Sequence, residues 1–137
     1  MRLHASCVAL GNRGLLILGK SGSGKSSLAL EFLALGAKLV SDDQTILKQV
    51  DGSPRAHAPD QLFGKIEARG IGILAADAQP SARVELAVDL DQIELDRIPK
   101  SRMINLLGLD IPLLHFVDTR SFPYGVLQYL KGGRVDM

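Results

Sequence analysis

The spacing G-x-x-x-x-G-K-[ST], met by Gly19-Lys20-Ser21-Gly22-Ser23-Gly24-Lys25-Ser26, restricts the fold of this chain more than any other feature. The pattern has a use only where a buried strand hands over to a helix, and both flanks meet that requirement. Leu15-Leu16-Ile17-Leu18 is a continuous apolar run of the kind buried on both faces of a sheet. From Lys25 to Leu35 the sequence KSSLALEFLAL is rich in helix formers and free of Gly and Pro, and Gly36 stands where a helix C-terminus favours it. Strand, glycine-rich loop and helix, followed by the strand Ala37-Lys38-Leu39-Val40, predict an α/β domain.

Around this unit the pattern is mostly that of strands. Residues 2 to 10 place Leu3, Ala5, Cys7 and Ala9 on one side and Arg2, His4, Ser6 and Val8 on the other, the period-2 signal of a half-buried strand. Gly11-Asn12-Arg13-Gly14 makes that strand the first arm of a hairpin. Thr45 to Val50 reads as a strand closed by Asp51-Gly52-Ser53-Pro54, which leaves His57 in an Ala/Pro-rich loop. Ile66 to Ala75 reads as strand, bend and strand, Arg83 to Leu90 as a strand, Leu113 to Val117 as an apolar run ending at Asp118, and Tyr124 to Lys131 as a terminal helix. The later strands lack clear intervening helices, so the expectation is a P-loop nucleotide-binding domain with a mixed β-sheet, one domain over residues 1–137.

Composition excludes several classes. The chain has 137 residues, 46% hydrophobic, with 16 Lys+Arg against 15 Asp+Glu. A net charge of +1 and 4% aromatic residues give neither the basic excess nor the stacking surface of a nucleic-acid binder. The single cysteine, Cys7, has no partner for an internal disulfide, and its place on a small apolar face makes it a packing residue. No apolar run is long enough to span a bilayer, and Met1-Arg2-Leu3-His4-Ala5-Ser6-Cys7 has no apolar signal core, so no membrane role and a cytoplasmic location are expected.

The residue types in the loop specify the ligand. Gly19, Gly22 and Gly24 let backbone N–H groups approach and point at phosphate oxygens, and the helix N-terminus adds partial positive charge. Lys25 supplies a point charge for the β- and γ-phosphates, and Ser26 a hydroxyl for Mg²⁺. Lys20, Ser21, Ser23 and Ser27 complete the ATP-binding stretch. The phosphoryl acceptor turns on carboxylates. Asp42 and Asp43 close the strand after the helix, where an open α/β sheet presents its ligand-side loops. Two adjacent carboxylates suit one as general base and the other as metal ligand or orienter. Asp118 is the rival for the metal, standing after an apolar run as in a Walker B site. His57 and His115 carry no such pattern, and His115 reads as a satisfied core residue.

His4, fifteen positions before Gly19, the loop GKSGSGKSS, the stretch Leu39-Val40-Ser41-Asp42-Asp43, and Glu67-Ala68-Arg69-Gly70-Ile71-Gly72-Ile73 together resemble the catalytic domain of HPr kinase/phosphorylase. The resemblance covers residues 4–74. It implies an ATP- and Mg²⁺-dependent serine kinase acting on an HPr-like phosphocarrier protein, able in many members to reverse the reaction by phosphorolysis, and a homo-oligomer, a hexamer. Carried to this chain, it makes Asp42 the proton acceptor from serine, places His4 close enough to modulate it and Asp43 beside it in the site, assigns magnesium to Ser26 with Asp43, and ties Glu67 and Arg69 to the reverse reaction. The chain departs from the family pattern at Ser27, where an acidic residue is usual, and at Ala5, where glycine is usual. It is similar to short, single-domain forms that lack the N-terminal domain. Two other readings remain, a small-molecule P-loop kinase or NTPase and a non-catalytic nucleotide-binding regulator.

Overall fold

The first apolar segment does not run unbroken. In the computed structural model, which describes residues 1–135, it divides into β1 (Arg2–Leu3) and β2 (Ala5–Leu10) with His4 between them. The half-buried strand expected here is corrected: Ala5 to Ala9 are buried on both faces. β2 lies inside the sheet, between its hairpin partner β3 (Arg13–Leu18) and β4 (Lys38–Ser41), and is antiparallel to both. Alternation still sorts the side chains, now between two cores. Val8, Leu15 and Ile17 pack with Leu28, Ala29 and Phe32 of α1 (Lys25–Ala34). Ala5, Cys7, Ala9 and Leu16 face the other way, toward Val40, Leu47, Ala56 and Val84. Small side chains on that second face leave room for the sheet to curl over itself, so one core is covered by helices and the other by strands.

The remaining strands complete this mixed sheet. β5 (Thr45–Val50) and β6 (Ser53–His57) form a hairpin about Asp51-Gly52, so Ser53 and Pro54 already belong to a strand and His57 is paired opposite Ile46 instead of lying in a loop. β7 (Lys65–Ala68) and β8 (Gly72–Ala75) are the expected strand, bend and strand, but they form a separate two-stranded sheet. β9 (Ala82–Ile93) outruns the expected strand at both ends and lies parallel to β3 on one side and to β11 (Leu109–Phe116) on the other. β10 (Met103–Leu106), which no sequence pattern announced, pairs with β11 around Leu107-Gly108. The terminal helix α2 (Phe122–Gly132) starts with Pro123 in its first turn, where a missing N–H costs nothing.

The long path through the sheet is β1-β5-β6-β9-β3-β2-β4; β6 pairs with the start of β9, and β11 pairs with its later residues. α2 adds Val126, Leu127 and Leu130 to the core of α1, and Ile66 of β7 enters the same core. The small sheet is thereby anchored beneath α1. The α/β class and the mixed sheet stand as expected. Among the described residues no helix is long and apolar enough to cross a membrane.

Candidate functional site

The loop between β3 and α1 is held open by its own lysine. Gly22 and Gly24 have φ of 83° and 101°, and a Cβ built on either meets nothing within 4 Å. At these two positions a side chain would be strained by the backbone and would also fill the hollow that the loop encloses. Lys25, 6% exposed, begins the helix and turns its Nζ back across the loop, donating to the carbonyls of Gly19 (2.8 Å) and Lys20 (3.0 Å). The mouth of the loop is tied to β9 through the Lys20 N–H, which donates to Asp91 Oδ2 at 2.8 Å.

The two carboxylates at the end of β4 live in opposite surroundings. Asp42 is buried, and both of its oxygens are occupied: Oδ1 accepts from Ser6 Oγ (2.9 Å) and Ser26 Oγ (2.7 Å), and Oδ2 accepts from the Glu67 N–H (3.0 Å). Asp43 turns away from that cluster. Its φ is 69°, a left-handed conformation that costs a residue with a Cβ on the order of 1–2 kcal/mol, and its N–H donates to Ser6 Oγ at 3.2 Å. The carboxylate is 59% exposed and lies with Oδ1 3.1 Å from His4 Nε2. Strain of this kind persists only where the surroundings impose it. Here it separates two adjacent side chains, one sent inward and one outward.

A cavity of about 270 Å³ collects His4, Ser21, Gly22, Lys25, Ser26, Asp43, Glu67 and Arg69. Glu67 and Arg69 arrive from the small sheet, where alternation along β7 sends Ile66 into the core and the Glu67 side chain outward. The structure therefore brings together His4, the glycine-rich loop, Asp42 and Asp43, and the 67–69 stretch. Two contacts distinguish the aspartates. His4 is paired with Asp43, not with Asp42, because the Asp42 carboxylate points the other way into its hydrogen bonds. The Ser26 hydroxyl is bonded to Asp42, not to Asp43. Asp118 lines a different cavity from the one that holds Ser26.

Ser6 escaped the sequence reading, although it joins the two aspartates through one hydroxyl and is fully buried. The signal was present, since period-2 alternation puts Ser6 on the same side as His4. Asp91 had no comparable signal. Cys7 is buried, and burial pushes its thiol up to about 12, which keeps it protonated and unreactive in the folded state. The His57 imidazole is lowered from its ordinary value, first by burial and then by the nearby Lys48 charge. It lies outside the site.

Oxygen donors at Ser26 and Asp42, 2.7 Å apart, suit a hard cation. Among the described residues no group of three or more His, Cys, Asp or Glu side chains could hold a metal by itself. That donor set fits Mg²⁺, which takes one or two protein oxygens and shares the rest with water and phosphate.

Comparison with known proteins bears on the family of the chain. The family model described as the HPr Serine kinase C-terminal domain matches residues 1–119. An HPr kinase/phosphorylase of Clostridium novyi is 36% identical over 124 residues, covering 85% of this chain and 39% of that protein. One from Malacoplasma penetrans is 28% identical over 137 residues, covering 95% of this chain and 44% of its own length. The Clostridium perfringens relative is 43% identical over 77 residues, which cover 25% of it, so the chain matches under half the length of these relatives. Among solved structures, the Hpr(Ser) kinase/phosphatase from Coxiella burnetii superposes with a TM-score of 0.80 at 26% identity, covering 96% of this chain and 88% of that one. With most of its length matched, the chain belongs to the HPr serine kinase C-terminal domain family.

Proposed function

We propose that the chain is an ATP-dependent protein-serine kinase whose acceptor is an HPr-like phosphocarrier protein, with Asp43 as the general base. The observation that carries this reading is the split between the aspartates. A base must reach the proton it takes, and Asp43 faces the cavity with His4 beside it, whereas every oxygen of Asp42 is already engaged. The role that the resemblance gave to Asp42 therefore passes to Asp43. The loop N–H groups and Lys25 hold the triphosphate, and Lys25 exchanges its carbonyl partners for phosphate oxygens. Magnesium would be held at Ser26 with Asp42 behind it, supplying charge neutralisation on the phosphates when bound.

Asp43 takes the proton of the acceptor serine hydroxyl. The serine oxygen forms its bond to the γ-phosphorus as the bond to the β,γ-bridging oxygen breaks, leaving phosphoserine and ADP. In phosphorolysis an oxygen of inorganic phosphate bonds to the phosphoserine phosphorus as the serine O–P bond breaks, Asp43 passes the proton of that phosphate to the serine oxygen, and pyrophosphate leaves with serine restored. Glu67 and Arg69, on the opposite side of the cavity, face the acceptor.

The test is incubation with labelled ATP, Mg²⁺ and a purified HPr-like protein, with mapping of phosphoserine. Asp43→Asn should reduce transfer by about 10² to 10⁴-fold, the usual contribution of a general base, while Mg-ATP still binds. Wild-type transfer by that variant removes Asp43 from the role. ATP turnover without phosphoserine would return the chain to the NTPase reading, and binding without turnover to the regulator.

A further inference from the structure

Over β1, β5 and β6 the sheet is left bare on the face that α1 and α2 cover elsewhere. Among the described residues none from these strands enters the core beneath the helices, while Leu47 and Ala56 turn to the opposite core. Register sets a row of cations along this face. Lys48 of β5 is paired opposite Arg55 of β6, Arg55 opposite Arg83 of β9, and Arg83 opposite Arg13 of β3. Residues paired in this way share a face. Four positive side chains therefore cross four neighbouring strands, about 14 Å from end to end at about 4.8 Å per strand. Lys48, Arg83 and Arg13 are exposed and Arg55 is half-buried. Among the described residues one carboxylate pairs with this row, Glu85, 2.9 Å from Arg83 and 3.7 Å from Arg13. Arg13 also donates to the last carbonyls of α2, and Arg55 bonds to the neutral side chains of Asn12 and Ser81. Like charges directly opposite one another destabilise a sheet, so packing gives no reason for the row. The basic face also reaches the phosphate-side cavity. Arg2 is paired opposite Ile46, two residues from Lys48 on the same side of β5, and His4, two residues beyond Arg2, lines the cavity.

We propose that this basic face docks an acidic surface of the protein acceptor. The inference rests on the protein-serine kinase reading. A protein whose serine reaches Asp43 must cover far more than the cavity, because a specific interface takes about 800 Å² from each partner, a patch about 30 Å across. Lys48 stands five residues from Asp43, at most about 17 Å along an extended chain, so the row lies within reach of that footprint. Opposite charges across such a face speed encounter and fix the orientation in which the serine arrives. Nucleic acid is the poorer fit, since the whole chain has a net charge of +1 and 4% aromatic residues.

The experiment measures phosphoserine formation on a purified HPr-like protein at saturating Mg-ATP, varying the acceptor concentration and the salt. Lys48→Glu and Arg2→Glu, both at exposed positions, should each raise the acceptor KM about fivefold or more, with kcat within about twofold. The KM for ATP should not move, which also certifies the fold of the variants. Arg97→Glu makes the same change of charge in the loop after β9 and should leave the acceptor KM within about twofold. Added salt should lower the wild-type kcat/KM steeply and that of Lys48→Glu less. Acceptor KM and salt dependence unaltered in both face variants overturn the proposal while leaving the kinase reading intact. An equal rise in Arg97→Glu overturns it too, by showing that net charge and not this face sets the KM. So does a changed sedimentation mass in the face variants at unchanged acceptor KM, which puts a second copy of the chain over the face. A single-stranded oligonucleotide that binds wild type and not the face variants, again at unchanged acceptor KM, gives the face to nucleic acid and overturns the proposal. Wild type that forms no phosphoserine removes the kinase reading, and this inference with it.

Discussion

The two walls of the phosphate-side cavity are built in opposite ways. On one wall, Lys25, Ser26, Asp42 and Ser6 are closely bonded to one another or to the loop backbone, and their polar atoms are committed before any ligand arrives. On the other, the β7–β8 hairpin belongs to a sheet of its own. It is fixed by Ile66 and Leu74 against the core of α1, by the buried Ala68 and by one backbone N–H given to Asp42, and its tip presents Arg69 with Ile71 77% exposed. Preorganised donors and charges suit the invariant part of a phosphoryl transfer, the phosphates and their cation. A hairpin that forms its own sheet suits the part that, in the proposed reaction, admits a protein acceptor. Asp43 stands between the walls, pushed toward the open side by its left-handed backbone.

The strongest challenge to that contrast after the base itself is Asp42→Asn. Three donors converge on this carboxylate, and an amide replaces one acceptor oxygen with a donor. At least one buried donor then loses its partner, which costs about 1–3 kcal/mol. The melting temperature should fall by several degrees, and transfer should fall with it. An unchanged melting temperature in a calorimetric scan would mean that the closed wall is not held by Asp42.

Arg69→Ala probes the open wall and should behave inversely. The residue is exposed, so stability should stay within about 0.5 kcal/mol and ATP affinity should not move, while the KM for the protein acceptor rises several-fold. A change in ATP affinity equal to that in acceptor KM would merge the two walls into one.

The smallest effect concerns Cys7, behind the closed wall. Its thiol is raised from 9.0 to about 12 by burial. The folded state therefore keeps a proton that the unfolded chain loses above pH 9, so this contribution to stability is complete below pH 9 and declines as pH rises toward 12. At neutral pH the native protein should resist iodoacetamide, and denaturant should expose one reactive thiol. Rapid labelling of the folded protein would show that β2 opens readily.

Much of this organisation is legible in the sequence where cause and effect are close along the chain. The strand, loop and helix from Leu15 to Ala34, with Lys25 and Ser26 at the helix start, follow from local spacing, and tertiary context could only use them. The hairpin at residues 66–75 is likewise readable, because alternation and glycines are local signals. Local pattern misleads where burial depends on distant neighbours. Ala5–Leu10 looks half-buried until β3 and β4 flank it, and His57 looks like a loop residue until β5 supplies its partner strand. The roles of Asp42 and Asp43 lie beyond any local pattern, since the two are adjacent and chemically identical. Ser6, 36 positions away, and the Glu67 N–H, 25 positions away, decide which carboxylate is consumed by the fold and which faces the cavity beside His4. Those contacts exist only once the chain has closed, which is why local spacing sets the residue types gathered at this loop and long-range packing decides which of two identical neighbours faces the cavity.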